Sequence, residues 1–474
     1  MLVALGAGAC DSTPVCLPVD GGVTGPGAAS GAGGASGPGG ASGPGGASGP
    51  GGVSGPGGAG SPDTALLGAP FLFAPSSQGC GISVVLEKGH PAALRARVRP
   101  DGGTAWGEPQ TPTVRALDLA EWKVDGLSTG ARYQYQIAAG PEASATVLYE
   151  GAFVTGRPAG APFSFALVSD THIGSSPLYS NQGDPATLMG VSAQIQAVAP
   201  DFVVNLGDVL DFHEYGFNDP PPDSSIARLA YLNYRTTLGD LTGHAPHFGV
   251  LGGWDSENGF YTAAELERSR SQRLLYAPGP QPATYPQGGS AFEDYYAFTW
   301  GDALFVVLNV YTYTPTPHLL DANPGRPDDW TLGAAQLDWL RQTLAAASSK
   351  WRFLLIHHPV GGAAGDPSDS AYGRGGGQAA YVGEQATVHA LMRQYGVQAM
   401  FYGHDHVFTD MVVDGIHYAL PGSAGAPWMF GPDQTGYTTS WSDSGWERVD
   451  VTPDSVAVHF LSLTGQSIYD FTIL

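Results

Sequence analysis

At 474 residues the chain is long enough for about three domains, and 43 acidic residues against 20 basic ones leave a formal charge of −23. Lys88, Lys123 and Lys350 are its only lysines, so most of the surface repels phosphate backbones and nucleic-acid binding is not expected. Cys10, Cys16 and Cys80 are too few for a disulfide scaffold and make no zinc knuckle.

Residues 1–10, MLVALGAGAC, read as the tail of an export signal, and Ala7-Gly8-Ala9-Cys10 is similar to a bacterial lipoprotein cleavage box. No basic segment precedes the short apolar stretch. The expectation is an exported protein (periplasmic, outer-membrane-anchored or extracellular) with Cys10 as the site of a lipid anchor. No later apolar run is long enough to cross a bilayer. Residues 11–62 form a Gly/Ser/Pro linker built largely from GGASGP hexads. Glycine recurs at nearly every third position, but the break at Ala28 and the surplus glycines oppose a triple helix. The composition predicts a disordered tether.

Residues 63–158 read as an all-β domain. Short alternating stretches, ISVVLE, ALRARVR and RYQYQI, are separated by Gly, Pro and Asp turns. From 159 to 474 the pattern changes to apolar strands alternating with helices. FALVSD is followed by Leu188, Val191, Ile195 and Val198 at helical spacing, then by the strand DFVVNL. Further helices carry Leu337, Leu340 and Leu344, then Val388, Leu391, Met392 and Tyr395, between the strands ALFVVLN, WRFLLI and VQAMFY. The prediction is a large α/β domain whose sheet is buried on both faces.

Five of these strands end in residues able to hold a metal. FALVS leads to Asp170 and His172, whose side chains share a face if the backbone stays extended. DFVVNL leads to Gly207-Asp208-Val-Leu-Asp211, HFGVL to Gly-Gly-Trp-Asp255, WRFLLI to His357-His358, and VQAMFY to Gly403-His404-Asp405-His406. Ligands gather beyond the carboxyl ends of strands in α/β sheets. Imidazoles with carboxylates suit Zn, Mn or Fe, and one shared carboxylate allows two ions about 3.5–4 Å apart.

The motifs Asp170-x-His172, Gly207-Asp208-x-x-Asp211, His357 and Gly403-His404-x-His406 resemble, in this order, those of the metallophosphoesterase (calcineurin-like) superfamily. The nearer resemblance is to purple acid phosphatase-like proteins with an N-terminal fibronectin type III-like domain. Leu127-Ser-Thr-Gly-Ala-Arg-Tyr133-Gln-Tyr135 is similar to the L-x-P-G-T-x-Y-x-Y stretch of such domains, where a tyrosine corner ties a loop to a strand. That domain carries no constellation suited to chemistry and is expected to be a spacer or docking module. The resemblance implies a four-layer α/β/β/α catalytic domain with Asp170, His172, Asp208 and His406 around a first metal. Asp208 would bridge to a second metal held with His357 and His404. A water or hydroxide between the ions would attack the phosphorus of a phosphate ester. The family's iron-bound tyrosine ends G-D-x-x-Y; Asp211 stands there, so a purple iron–tyrosinate centre is not expected unless Tyr215 supplies it.

One motif departs. Where the family has G-N-H-D/E, residues 249–259 read GVLGGWDSENG. Gly252-Gly253-Trp254-Asp255 aligns with G-N-H-D and leaves the second metal without its amide ligand. Trp254-Asp255-Ser256-Glu257 aligns with G-N-H-E and puts Asp255 in the ligand position; this register is favoured, making Asp255 a second-metal ligand beside the catalytic Asp208 and His404. Both registers lose the family's histidine, with His213, His244 and His247 as candidates to replace it. The loss predicts weak turnover biased toward activated esters, and leaves a rival reading, a metal-binding protein that holds a phosphorylated or cell-surface ligand without hydrolysing it. The remaining candidates read as structural: His358 as packing, His389 as a surface imidazole, His459 as part of a strand, Asp405 and Asp211 as supports. Ser368, beside Asp366, lacks a nucleophile elbow. Residues 373–377 lack the lysine of a nucleotide loop and are expected to form a rim with Arg374 reaching a phosphate oxygen.

Overall fold

A computed structural model describes residues 64–175, 182–212, 221–315, 330–358, 384–429, 437 and 439–474. Cys10, the linker, His213, Tyr215, Asp366, Ser368 and Arg374 lie outside the described residues. Residues 59–474 form one compact unit.

The first eight strands are β1 (Ala65–Leu66), β2 (Phe71–Ser76), β3 (Gly79–Lys88), β4 (Leu94–Pro100), β5 (Thr113–Ala116), β6 (Leu119–Val124), β7 (Arg132–Ala139) and β8 (Thr146–Val154). β4, β7 and β8 make one antiparallel sheet, and β2, β3, β6 and β5, with β1 on β3, lie in another. Alternation along the strands turns Leu72, Ile82, Val84, Trp122, Tyr135, Ile137 and Phe153 into a shared core, so the two sheets form a sandwich. The tyrosine corner is present: Ser128 N–H donates to Tyr133 Oη at 2.9 Å.

The α/β part runs β9 (Phe163–Val168), α1 (Pro185–Val198), β10 (Phe202–Asn205), α2 (Ser224–Leu238), β11 (His247–Gly249), α3 (Ala263–Tyr276), β12 (Tyr296–Trp300), β13 (Ala303–Val307), α4 (Gly333–Ala346), β14 (Trp351–Leu355), α5 (Glu384–Gln394), β15 (Ala399–Phe401), β16 (Phe408–Val413), β17 (Ile416–Pro421), β18 (Gly445–Val451), β19 (Val456–Ser462) and β20 (Ser467–Ile473). One sheet is ordered β20-β19-β18-β9-β10-β11 and the second β12-β13-β14-β15-β17-β16. Between them lies an aromatic core with Phe165, Phe202 and Phe248 from the first sheet and Phe298, Phe305, Phe353 and Phe401 from the second. Phe165 stacks on Phe202 with centroids 5.2 Å apart. The outer face of the first sheet packs on α1 and α2, and that of the second on α4 and α5. The layers are therefore α/β/β/α.

The sandwich is not a bead on a string. β11 pairs in parallel with β2 through His247 and Phe73, which makes the sandwich sheet a continuation of the first α/β sheet. Buried Arg235 of α2 reinforces the junction, donating to Ser83 O at 2.8 Å. Tyr135 Oη–H donates to Gly243 O at 2.9 Å. The helix expected from Leu188 is α1, capped by Asp184 through Ala186 N–H and Thr187 N–H. Its Val198, expected on the buried face, is 38% exposed. No helix among the described residues is long and apolar enough to cross a membrane.

Candidate metal centre

β9, β10 and β11 run parallel, as do β13, β14 and β15, so each sheet delivers its loops at one carboxyl edge. There the loops after β9, β10, β14 and β15 converge. Asp170, His172 and His406 form one group of ligand atoms, and Asp208, His357 and His404 a second, with the atoms of each group within 4.8 Å of one another. His406 Nε2 lies 3.2 Å from Asp170 Oδ1 and 3.3 Å from His172 Nε2. Asp208 Oδ2 lies 3.0 Å from His357 Nε2 and 3.8 Å from His172 Nε2, which sets this carboxylate between the groups.

The local backbone is unusual in a way the sequence did not announce. Asp170, His172, Asp208, His404 and His406 have φ of 56°, 46°, 48°, 83° and 53°, all in the left-handed region that non-glycine residues avoid. The extended backbone expected for Asp170-x-His172 is therefore absent; tight turns, not strand alternation, aim these two side chains together. Such conformations cost on the order of 1–3 kcal/mol each and persist where surrounding contacts over-determine them. Those contacts are present. Asp170 N–H donates to Gly207 O at 3.0 Å and His172 N–H to Asp208 O at 3.0 Å, so the β9 and β10 loops are zipped together. Ser423 Oγ–H donates to Asp170 O at 3.0 Å. Gly207, at φ 104°, leaves no room for a side chain, since a Cβ there would sit 2.7 Å from His357 Nδ1.

Hydrogen bonds also fix the imidazoles. His357 Nδ1 lies 2.8 Å from Leu206 O and His406 Nδ1 2.8 Å from Trp428 O. With the proton on Nδ1, each presents the Nε2 lone pair to the centre, as a metal ligand must. Burial raises the Asp170 carboxyl, but His406 above all, with His357 and His172, holds it well below the usual carboxylate range. Burial lowers His172 to about 4. His357 is raised to about 9, burial opposing and Asp208 prevailing. Asp208 Oδ2 and His357 Nε2 are buried, face each other at 3.0 Å and have no further hydrogen-bond partner, an arrangement a cation between them would satisfy.

Asp255 does not join either group. Its Oδ1 accepts from Leu210 N–H at 3.0 Å and its Oδ2 from Gly252 N–H at 2.8 Å. Burial and Asp208 raise its carboxyl to about 7. In place of the expected second-metal ligand, the structure shows Asp255 clamping the β10 and β11 loops. Glu257 is likewise engaged elsewhere, buried against Arg273 and Arg270 of α3. The geometry instead fits the register Gly252-Gly253-Trp254-Asp255. Trp254 N–H donates to Asp208 Oδ1 at 2.8 Å, and its ring lies 5.4 Å from that of His172.

His358 packs as expected, with Nδ1 3.1 Å from Tyr311 Oη. Asp405 accepts from Tyr437 Oη–H at 3.0 Å, and His459 pairs with Asp470 at 2.6 Å. His389 is not a surface imidazole: it is buried, with Nδ1 2.6 Å from Tyr418 Oη, because that face of α5 meets the sheet. Of the candidate proton donors, His247 is buried in β11 against Phe71, centroids 5.1 Å apart, and His244 pairs with Asp240 at 3.2 Å. Neither belongs to the two ligand groups. Sequence reasoning missed Trp428 and the Leu206 carbonyl. No motif marks a backbone carbonyl, and Trp428 sits in an irregular loop beyond the last motif.

The calcineurin-like phosphoesterase family model matches residues 163–408, just over half of the chain. Human tartrate-resistant acid phosphatase type 5 is 25% identical over 312 residues, covering 59% of this chain and 81% of that protein. The structure of PhoD superimposes with a TM-score of 0.64 at 16% identity, over 86% of this chain and 89% of that one; at that identity the likeness is one of fold. A fibronectin type III domain of human collagen XX aligns with 20% of this chain at 19% identity and a TM-score of 0.16.

Proposed function

The chain belongs to the calcineurin-like phosphoesterase family, and on that premise we propose that it is an exported hydrolase of phosphate esters working with two metal ions. The observation that carries the reading is the convergence of Asp170, His172 and His406 beside Asp208, His357 and His404, with Asp208 Oδ2 and His357 Nε2 buried 3.0 Å apart and without other partners. This donor set suits Fe, Zn or Mn. Asp170, His172 and His406 would hold one ion, His357 and His404 the other, with Asp208 shared. Bound there, two cations would neutralise phosphoryl oxygens and lower the pKa of a water between them.

The chain's own residues supply the positioning. Asp208 is locked by Trp254 N–H on Oδ1, which leaves Oδ2 directed at the histidines. The Leu206 and Trp428 carbonyls hold the tautomers of His357 and His406. His404 is half-buried, whereas the other five are buried, so it lies nearest the side from which an ester arrives. Its N–H donates to Asp170 Oδ2 at 3.0 Å, coupling the β15 loop to the first group. Lipidation of Cys10 and export belong to the same reading; the mass of the mature N-terminus tests them.

The decisive assay is hydrolysis of p-nitrophenyl phosphate and bis(p-nitrophenyl) phosphate after reconstitution with Mn, Zn, Fe or Mg. Turnover that Asp208→Ala abolishes supports the proposal. Trp254 beside His172, where the family carries an imidazole, favours a second reading: a protein that binds metal and a phosphorylated ligand without turnover. Full metal loading with no hydrolysis under any condition would select it.

A further inference from the structure

We infer that Trp254 and Trp428 form an aromatic wall that selects esters of flat aromatic alcohols, an inference that rests on the phosphoesterase reading. The two indoles lie with centroids 5.8 Å apart and planes inclined by 52°. Both flank the same half of the centre. Trp254 lies 5.4 Å from His172, and Trp428 lies 5.1 Å from His172 and 5.2 Å from His406. Both are half-buried, so each keeps part of its surface for a ligand.

Their positions are fixed by the ligand loops themselves. The Trp428 carbonyl accepts from His406 Nδ1–H at 2.8 Å, and Trp254 N–H donates to Asp208 Oδ1 at 2.8 Å. The indoles are thus held in register with the ligand atoms, and a group attached to phosphorus on this side meets them with its first ring. Aromatic pairs gain free energy beyond the area they bury, so a planar ring is preferred to a saturated ring of the same size. An indole offers no proton to a departing oxygen. The same wall therefore favours alcohols that leave readily as anions, which phenols do and alkanols do not.

The test compares phenylphosphonate with cyclohexylphosphonate, by calorimetric binding to the Zn-loaded protein. Neither is hydrolysed, so affinity is read without turnover. Wild type should prefer the phenyl compound about fivefold, the scale of one aromatic contact. Trp428→Ala should cut the preference to within about twofold, and Trp428→Leu, which keeps bulk without the ring, should do the same. Trp428→Phe should retain it. Equal affinities in wild type, no binding of either phosphonate, or an unchanged preference in Trp428→Leu overturns the inference. Absence of p-nitrophenyl phosphate hydrolysis with every metal would instead defeat the phosphoesterase reading, and the phosphonate preference would then judge the wall alone.

Discussion

Replacing Asp255 by alanine separates a clamp from a ligand. The side chain is 2% exposed and accepts two backbone donors, Leu210 N–H at 3.0 Å and Gly252 N–H at 2.8 Å. Alanine leaves both amides buried without acceptors, at about 1–3 kcal/mol each, so the fold should lose roughly 2–6 kcal/mol. A lower urea midpoint at unchanged slope would report it. The metal consequence follows from what the clamp joins. Leu210 lies two residues past Asp208, and Gly252 two residues before Trp254, whose N–H holds Asp208 Oδ1. Loosening both strands of this grip lets Asp208 move, and because Asp208 lies between the two groups, both ions should bind more weakly together. Metal content measured against a graded chelator would show parallel loss. Clean loss of one ion at unchanged stability would refute the clamp and restore Asp255 as a direct ligand.

Asp208→Ala should strip both ions, and retention of one at full occupancy in metal analysis would contradict a shared carboxylate. His247 makes part of the stability pH-dependent: burial lowers its folded-state value to about 4, against about 6.5 in an unfolded chain. Its contribution is complete above the unfolded value and is lost as pH falls from there through the folded one, by about 3 kcal/mol; His247→Leu should flatten the denaturation midpoint across that window, and an identical slope would show an ordinary imidazole. The iron-loaded protein should lack a visible tyrosinate-to-iron band, since Asp211 ends the Gly207-Asp208-x-x-Asp211 motif; a purple sample would defeat this.

The layers and the convergence of the candidate residues were legible for a physical reason. Strands buried on both faces read as apolar runs, and their carboxyl ends carry the chemistry, so Asp170, Asp208, His357 and His404 stand beside obvious strands. The Tyr133 corner was equally visible, because its hydrogen bond depends on a local spacing. α3 went unmarked although Thr262 and Glu265 form a capping box; its buried face carries Arg270 and Arg273 paired with Glu257, so apolar periodicity is weak. The positive φ angles at these residues were not legible, since Asp and His visit the left-handed region more often than most residues but seldom enough that type alone does not mark it. The clamp made by Asp255 was not legible, because composition shows only a carboxylate beside a metal motif. Its two backbone donors come from residues 45 positions earlier and 3 positions earlier, and only the folded chain brings the first within reach.

Asp170, His172, Asp208, His357, His404 and His406 should together hold two cations. Elemental analysis of protein reconstituted with Zn or Mn and then desalted tests it most directly. Two ions per chain are expected in the wild type, and none in Asp208→Ala. One ion per chain, or two that persist in Asp208→Ala, would contradict it.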